Sequence, residues 1–274
     1  MRTAREPRGS SVRGRARLFG TATLVACAGL ALLAATAQAR QDVTFVFDEV
    51  RINLGDNKGI ALVDPAVDPP ARLGGEVQPG TGAFTATPEG FRFPPKLLAN
   101  LESGNALIPV IDATISVAAL DEISGDLDLT TGELAIDSMD TNVSVFVEAG
   151  PGGVLPEGTH LATCDSSPVP LPLETTGSIV DDDGDPPDPV TFEAAPFAPP
   201  SAEGAAVTTW ESLPATVGTS STGLEGLVCP GVDALVTGPG GTWFSGCLTQ
   251  GKRGSEIADQ SQASRRCRLA AAQQ

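Results

Sequence analysis

From residue 111 to residue 118 the side chains alternate without a break. Ile111, Ala113, Ile115 and Val117 take one phase, and Asp112, Thr114, Ser116 and Ala118 take the other. A period of two marks a strand with one buried and one wet face, because helical stripes recur every 3.6 residues. Val143, Val145 and Val147 alternate in the same way with Asn142, Ser144 and Phe146. Between these runs, Gly125 to Leu129 and Glu133 to Asp137 flank Thr130-Thr131-Gly132. That is the pattern of a β-hairpin, with Gly132 supplying the positive φ of a short loop. The whole stretch is expected to form one antiparallel meander. Further upstream, Val43, Phe45 and Phe47 are apolar on odd positions, whereas Val50, Ile52 and Leu54 are apolar on even ones. The change of phase predicts a bulge near Asp48-Glu49.

Other segments are read from their breakers. Residues 64 to 82 hold four prolines and four glycines and read as a loop. Phe91-Arg92-Phe93 reads as a short strand stopped by Pro94-Pro95, and Lys96 to Glu102 as one or two helical turns. In Pro168-Val169-Pro170-Leu171-Pro172-Leu173 the prolines remove backbone donors from one edge only. Val169, Leu171 and Leu173 keep theirs and share a face, so the segment can pair on one side and resists pairing on the other. A polyproline II segment is the alternative. Ile179 to Ala205 is an acidic, proline-rich connection with a short strand at Val190-Thr191-Phe192. Strands are expected again at Ala206 to Trp210, Leu227 to Cys229, Ala234 to Thr237 and Thr242 to Phe244. The fold class predicted is all-β, an antiparallel two-layer β-sandwich of jelly-roll or immunoglobulin-like kind with a long acidic loop.

The N-terminus assigns an address. Six arginines precede an uncharged, Leu- and Ala-rich run from Phe19 to Ala35, which closes on Ala37-Gln38-Ala39. This is the layout of a signal peptide with a small-x-small cleavage site. The expected organisation is a leader over 1–39, one β domain over 40–250 and a separate tail over 251–274. An uncleaved anchor and lipidation at Cys27, in Leu24-Val25-Ala26-Cys27, are the alternatives. No later segment is apolar and long enough to span a bilayer, and the chain is expected to be secreted or held at the cell surface.

Without the leader, 33 acidic residues face 11 basic ones, and from Leu97 to Gly251 there are 23 Asp and Glu and no Lys or Arg. Those carboxylates must be solvated, bind cations or meet a cationic partner. Nucleic acid and anionic lipid are poor partners, because both are gripped by basic side chains. The four cysteines left in an exported chain, Cys164, Cys229, Cys247 and Cys267, are expected to form disulfides, with three pairings open.

Candidate chemistry is sparse. Asp181-Asp182-Asp183-Gly184-Asp185 is the densest carboxylate cluster, and Asp181, Asp183 and Asp185 are candidate calcium ligands. An EF-hand alignment on Gly184 fails at both ends, at Ile179 and Val190, so at most weak calcium binding is expected and no other cofactor. Asp126, Asp128, Glu133 and Asp137 gather carboxylates on the hairpin, the minimum for glycoside hydrolysis. Tyrosine is absent, however, and only Trp210 and Trp243 offer broad rings for a sugar. His160 is the only histidine, and no G-x-S-x-G elbow accompanies it.

Two stretches carry a resemblance: Ser124 to Leu134, and Cys164 with Pro168 to Thr176 answered by Cys229. They resemble secreted all-β proteins of high-GC bacteria, a group with no established activity, so no functional residue carries over. The resemblance implies an extracellular sandwich and a Cys164–Cys229 bridge, which leaves Cys247 for Cys267. The function expected is a non-catalytic binding or structural module of the envelope or extracellular space, whose partner is an envelope component or a cationic molecule. A calcium-dependent adhesion or carbohydrate-binding module and a carboxylate-based hydrolase are the alternatives.

Overall fold

The structure is a computed structural model that describes residues 39–54, 58–66, 68–181, 189–198, 203–220, 222–236 and 238–250. In chain order the strands are β1 (Gln41–Leu54), β2 (Lys58–Val63), β3 (Ala71–Val77), β4 (Ala83–Ala86), β5 (Phe91–Arg92) and β6 (Lys96–Asn105). Then come β7 (Ile108–Ala119), β8 (Ile123–Leu127), β9 (Leu134–Ser138), β10 (Asp140–Ala149), β11 (His160–Asp165) and β12 (Val169–Pro170). The last are β13 (Leu173–Glu174), β14 (Ser178–Asp181), β15 (Val190–Glu193), β16 (Glu203–Trp210), β17 (Val217–Thr219) and β18 (Gly240–Gln250), with helix α1 (Glu225–Val236) before β18.

Every pairing among the described strands is antiparallel, as the alternation requires. The larger sheet is not one of two open layers. Its strands run β1-β18-β16-β13-β9-β8-β4-β3, and β3 pairs back onto β1 from Gln41↔Val77 to Phe47↔Ala71, which closes an eight-stranded barrel. Alternation reports which side chains face inward but not whether a sheet bends round to meet itself, so the sandwich expected from sequence becomes a barrel here. The expected bulge is present, with the β1–β18 register shifting between Phe47 and Glu49. There β1 changes partner on its other edge, from β3 to β2.

Eight strands leave an interior just wide enough for side chains to fill it. Phenylalanines fill this one: Phe45, Phe47, Phe84, Phe197 and Phe244 are all fully buried. Phe197 packs edge-on against Phe45 at 5.0 Å, and Phe47 against Phe244 at 5.3 Å. Phe197 belongs to the connection before β16, and its amide donates to the Gly132 carbonyl at 2.9 Å. Gly132 has the expected positive φ of 78°, and a Cβ there would sit 2.3 Å from the Phe197 carbonyl. The glycine is therefore needed twice, to turn the β8–β9 hairpin and to let the segment carrying Phe197, the plug of the barrel, pass.

Several expectations are corrected. The segment read as a loop contains β3, because Gly74 and Gly75 lie inside a strand. A Cβ on Gly75 would come within 2.6 Å of the Phe84 ring, so the residue that looked like a breaker makes room for core packing. Lys96 to Glu102 is strand and not helix. Two register breaks in β6, with Asn100 at φ 58°, scramble its alternation. The meander is divided: β7 pairs directly with β10 from Thr141↔Ala119 to Ala149↔Ile111, while β8 and β9 enter the barrel. Leu227 to Val236 is helical, with Val228 and Val232 one turn apart on its buried side. Pro230 inside α1, a residue that costs a helix interior about 3 kcal/mol, hid it from the sequence reading. The proline segment pairs as expected through Val169 and through the Leu171 amide on the Met139 carbonyl, and all three apolar side chains enter the core. Beyond Pro172 the resistance ends, because β13 pairs on both edges.

The second sheet runs β17-β11-β10-β7-β6. Its inner face meets the barrel core through Val117 and Ala119, and meets α1 through β11, with Val145, Val147, Ala162 and Cys164 in one buried cluster with Cys229 and Val232 of the helix. The Cys164–Cys229 disulfide fastens β11 to the helix across 65 residues of chain, as the resemblance implied. A loop of that length is worth about 4 kcal/mol in the chain-entropy model. Cys247 on β18 is also disulfide-bonded, and the expected pairing with Cys267 lies outside the described residues.

Removing the plug should show how far the barrel relies on it. Phe197→Ala is expected to lower stability by about 3–5 kcal/mol, the range for a buried phenylalanine. Urea unfolding followed by circular dichroism measures this, and a loss under about 1 kcal/mol would contradict a filled barrel.

Candidate binding surface

The wet face of the second sheet holds the described structure's clearest grouping of exposed apolar side chains. Pairing registers place Leu97, Thr114, Phe146, Thr163 and Thr219 in one row, one residue from each strand. At about 4.8 Å per strand the row spans about 19 Å. Beside it lies the row Ser116, Ser144, Asp165, Val217, and on its other side Asp112, Glu148, His160. Leu97 is 56% exposed, Phe146 38% and Val217 66%, although all three are large apolar residues. Scattered exposed apolar residues are ordinary, whereas several on one sheet face make that face a candidate interaction surface.

The face is internally organised. The His160 ring stacks on Phe146 with centroids 4.5 Å apart and planes 11° from parallel. Its Nε2 is 3.1 Å from the Thr163 hydroxyl oxygen, which fixes the ring from the neighbouring row. The Ser144 hydroxyl donates to the Asp165 carboxylate, and the Asn100 amide donates to Asp112 at 2.7 Å. On the edge strand, the Thr216 amide donates to the Asp233 carboxylate of α1 at 2.8 Å, which holds the start of β17 to the helix. His160 thus braces the exposed aromatic.

Lys96 is the only Lys or Arg among the described strands of this sheet, and it is paired in register with Ile115 on the inner side. Its Nζ is 2.7 Å from Asp68 of the β2–β3 connection. Burial pushes the Asp68 carboxyl up, but the Lys96 hydrogen bond, the Asp64 amide and the Lys96 charge together hold it below the usual 3.8. The outer face therefore carries Asp112, Glu148 and Asp165 with no Lys or Arg of its own.

A second concavity lies at the β3–β5 end of the barrel, about 860 Å³ in volume. Arg40, Arg72 and Arg92 line it together with Asp42, Glu76 and Glu89. Arg40 bonds Glu76 at 3.3 Å, and the Arg92 Nε donates to the Glu89 carbonyl at 3.3 Å. Burial first, and then the charge of its register partner Arg92, lowers the pKa of Arg72. Cations and anions alternate along these walls, so the concavity selects no ligand charge.

The residues singled out from sequence do not converge on one site. Asp181 ends β14, and Asp183 and Asp185 lie outside the described residues. The Asp128 carboxylate accepts the Thr130 and Thr131 amides of the hairpin turn, the Thr130 bond being 2.7 Å, and these bonds hold it below the usual aspartate value. Trp243 is no open sugar platform: Phe192 of β15 tilts against it at 5.0 Å, and its indole N–H donates to the Glu193 carbonyl. The outer row itself was missed. Its signal was present, because Phe146 shares the wet phase of its strand with Asn142, Ser144 and Glu148. Comparison with protein families, curated proteins and solved structures found no match.

The Lys96–Asp68 pair makes a pH-dependent contribution. A carboxyl whose folded pKa is depressed stabilises above its unfolded value and loses that contribution as pH falls through the folded one. Asp68→Asn is expected to be less stable than wild type by an amount that is steady above about pH 5 and shrinks below about 3.8. Urea midpoints across this range measure it, and a gap that stays constant into acid would contradict the bond.

Proposed function

We propose that the chain is an exported module, secreted or held at the cell surface, that binds and does not catalyse. Its binding surface in this reading is the outer face of the β17-β11-β10-β7-β6 sheet. The observation that carries the reading is the row of Leu97, Thr114, Phe146, Thr163 and Thr219, with large apolar side chains left in water on strands that are otherwise well packed. The barrel supports the same view. Its lumen is occupied by phenylalanine rings, so no ligand is accommodated inside. The inner face of the sheet is taken up by the barrel and by α1, which leaves the outer face as the side available to a partner. Strands fixed by a disulfide hold side chains more accurately than loops do, which suits recognition. The leader read from the sequence supplies the exported location. In this account the sheet and the barrel wall beneath it take the place of the two layers of a sandwich.

Retention on cells tests the proposal. Purified mature chain is added to washed cells of the producing organism that lack the gene, and bound protein is measured against concentration. Wild type is expected to bind saturably, and Phe146→Ser with Val217→Ser to weaken binding at least about tenfold, as loss of anchoring apolar contacts does. Equal retention of a folded variant would remove this face from the account. A hydrolytic activity abolished by Asp126→Asn would replace binding with catalysis.

A further inference from the structure

We infer that the outer face of the five-stranded sheet recognises an extended, cationic polypeptide segment that lies across the strands along the Leu97-to-Thr219 row. The inference rests on the binding-module reading and adds the chemistry of the partner. The centre of the face is apolar and hydroxyl-bearing, through Leu97, Phe146 and the three threonines. The rows on either side present carboxylates, Asp165 on one and Glu148 with Asp112 on the other, where His160 lies beside Glu148 and against the Phe146 ring.

Spacing fits this occupant. Residues two apart on a strand are separated by about 6.8 Å, so Glu148 lies that far along β10 from Phe146, and Asp165 that far along β11 from Thr163. A chain lying over the central row therefore has carboxylates within reach of long basic side chains on both sides. The row's length of about 19 Å accommodates five or six extended residues. Apolar side chains of the segment would cover Phe146 and Leu97, while Lys or Arg side chains reach outward to the flanking rows. Aliphatic stems with charged ends suit that division.

Charge excludes the other occupants. The stretch from Leu97 to Gly251 has no Lys or Arg, so a polyanion finds no counter-charge on this face. A second copy docking face to face would set Asp112, Glu148 and Asp165 against their own equivalents, an arrangement that like charges oppose. The strongly acidic chain also draws cations from a distance and speeds their encounter.

Fluorescence anisotropy with labelled decapeptides tests the inference on the mature protein. The probes alternate Lys–Val, Glu–Val and Ser–Val. Lys–Val is expected to bind at least about tenfold more tightly than Ser–Val, Glu–Val not to bind, and Lys–Val binding to fall at least about tenfold from 0.05 to 0.5 M NaCl. The triple variant Asp112→Asn, Glu148→Gln, Asp165→Asn should bind Lys–Val and Ser–Val alike. A control triple on the barrel hairpin, Asp126→Asn, Glu133→Gln, Asp137→Asn, removes the same charge and should leave binding at the wild-type level. Phe146→Ser should weaken binding, and Phe146→Trp, which keeps a flat ring, should retain it.

Equal affinity for Lys–Val and Ser–Val in wild type would overturn the inference. So would an equal loss in the two triple variants, since general acidity would then explain the binding. If the cell-retention assay depends on Phe146 while Lys–Val fails to bind, the cationic assignment falls and the binding module stands. If neither assay depends on Phe146, both fall.

Discussion

Both edges of β1 are paired, and the rest of the molecule is arranged around that condition. One edge runs along β18 from Val43 to Asn53. The other is divided at the bulge, with β3 before it and β2 after it. Because β3 is also joined through β4 to β8 and β9, the sheet returns to its starting strand. Closure gives each of the eight barrel strands two neighbours, with β2 and β5 as outlying strands, and so reduces the open edges that invite aggregation. It also fixes the interior volume, and Phe45, Phe47, Phe84, Phe197 and Phe244 occupy it. Edge-on aromatic pairs of this kind add about 0.5–1.5 kcal/mol each beyond the area they bury.

A filled barrel has a functional consequence. Lipocalin-like barrels of the same strand number can keep a lumen for a ligand, whereas this one spends its interior on stability. In the proposed reading, recognition falls to the exterior, and there the two sheets differ. On the barrel's outside, the β14–β15 hairpin covers Trp243 through Phe192, with Arg51 placed 4.9 Å from the centre of the Phe192 ring. On the smaller sheet, Leu97, Phe146 and Val217 remain in water. Helix α1, the Cys164–Cys229 bridge and the barrel all support that sheet from behind, and its outer face keeps Leu97, Phe146 and Val217 exposed.

Much of this was legible where local pattern and tertiary role agree. The period-two runs at 111–118 and 142–147, the Gly132 turn and the phase change at Asp48-Glu49 all appear as read. The proline segment also presents Val169, Leu171 and Leu173 to the core. What was hidden depended on partners distant in sequence. Gly75 looks like a loop residue until Phe84 is seen to need its space. Two neighbouring strand signals, β7 and β8, fit one meander equally well until the sheets separate after Ala119. Val228 and Val232 were too few to outweigh Pro230 in favour of a helix. The proposed binding face was half legible: Phe146 on the wet phase was visible, but its alignment with Leu97 and Thr219 exists only through registers that no local rule supplies.

The architecture depends most on closure, because an open sheet would have a free edge and an interior still to be covered. Hydrogen exchange of the β1 amides between Gln41 and Phe47, followed by NMR in the native state, tests it directly. Successive amides in a strand point to opposite neighbours, so alternate positions report the β18 side and the β3 side separately. Closure predicts that both sets exchange only through global unfolding, with equal protection. Protection on the β18 side alone, with the β3-facing set exchanging orders of magnitude faster, would mean an open sheet and would contradict the barrel on which the rest is built.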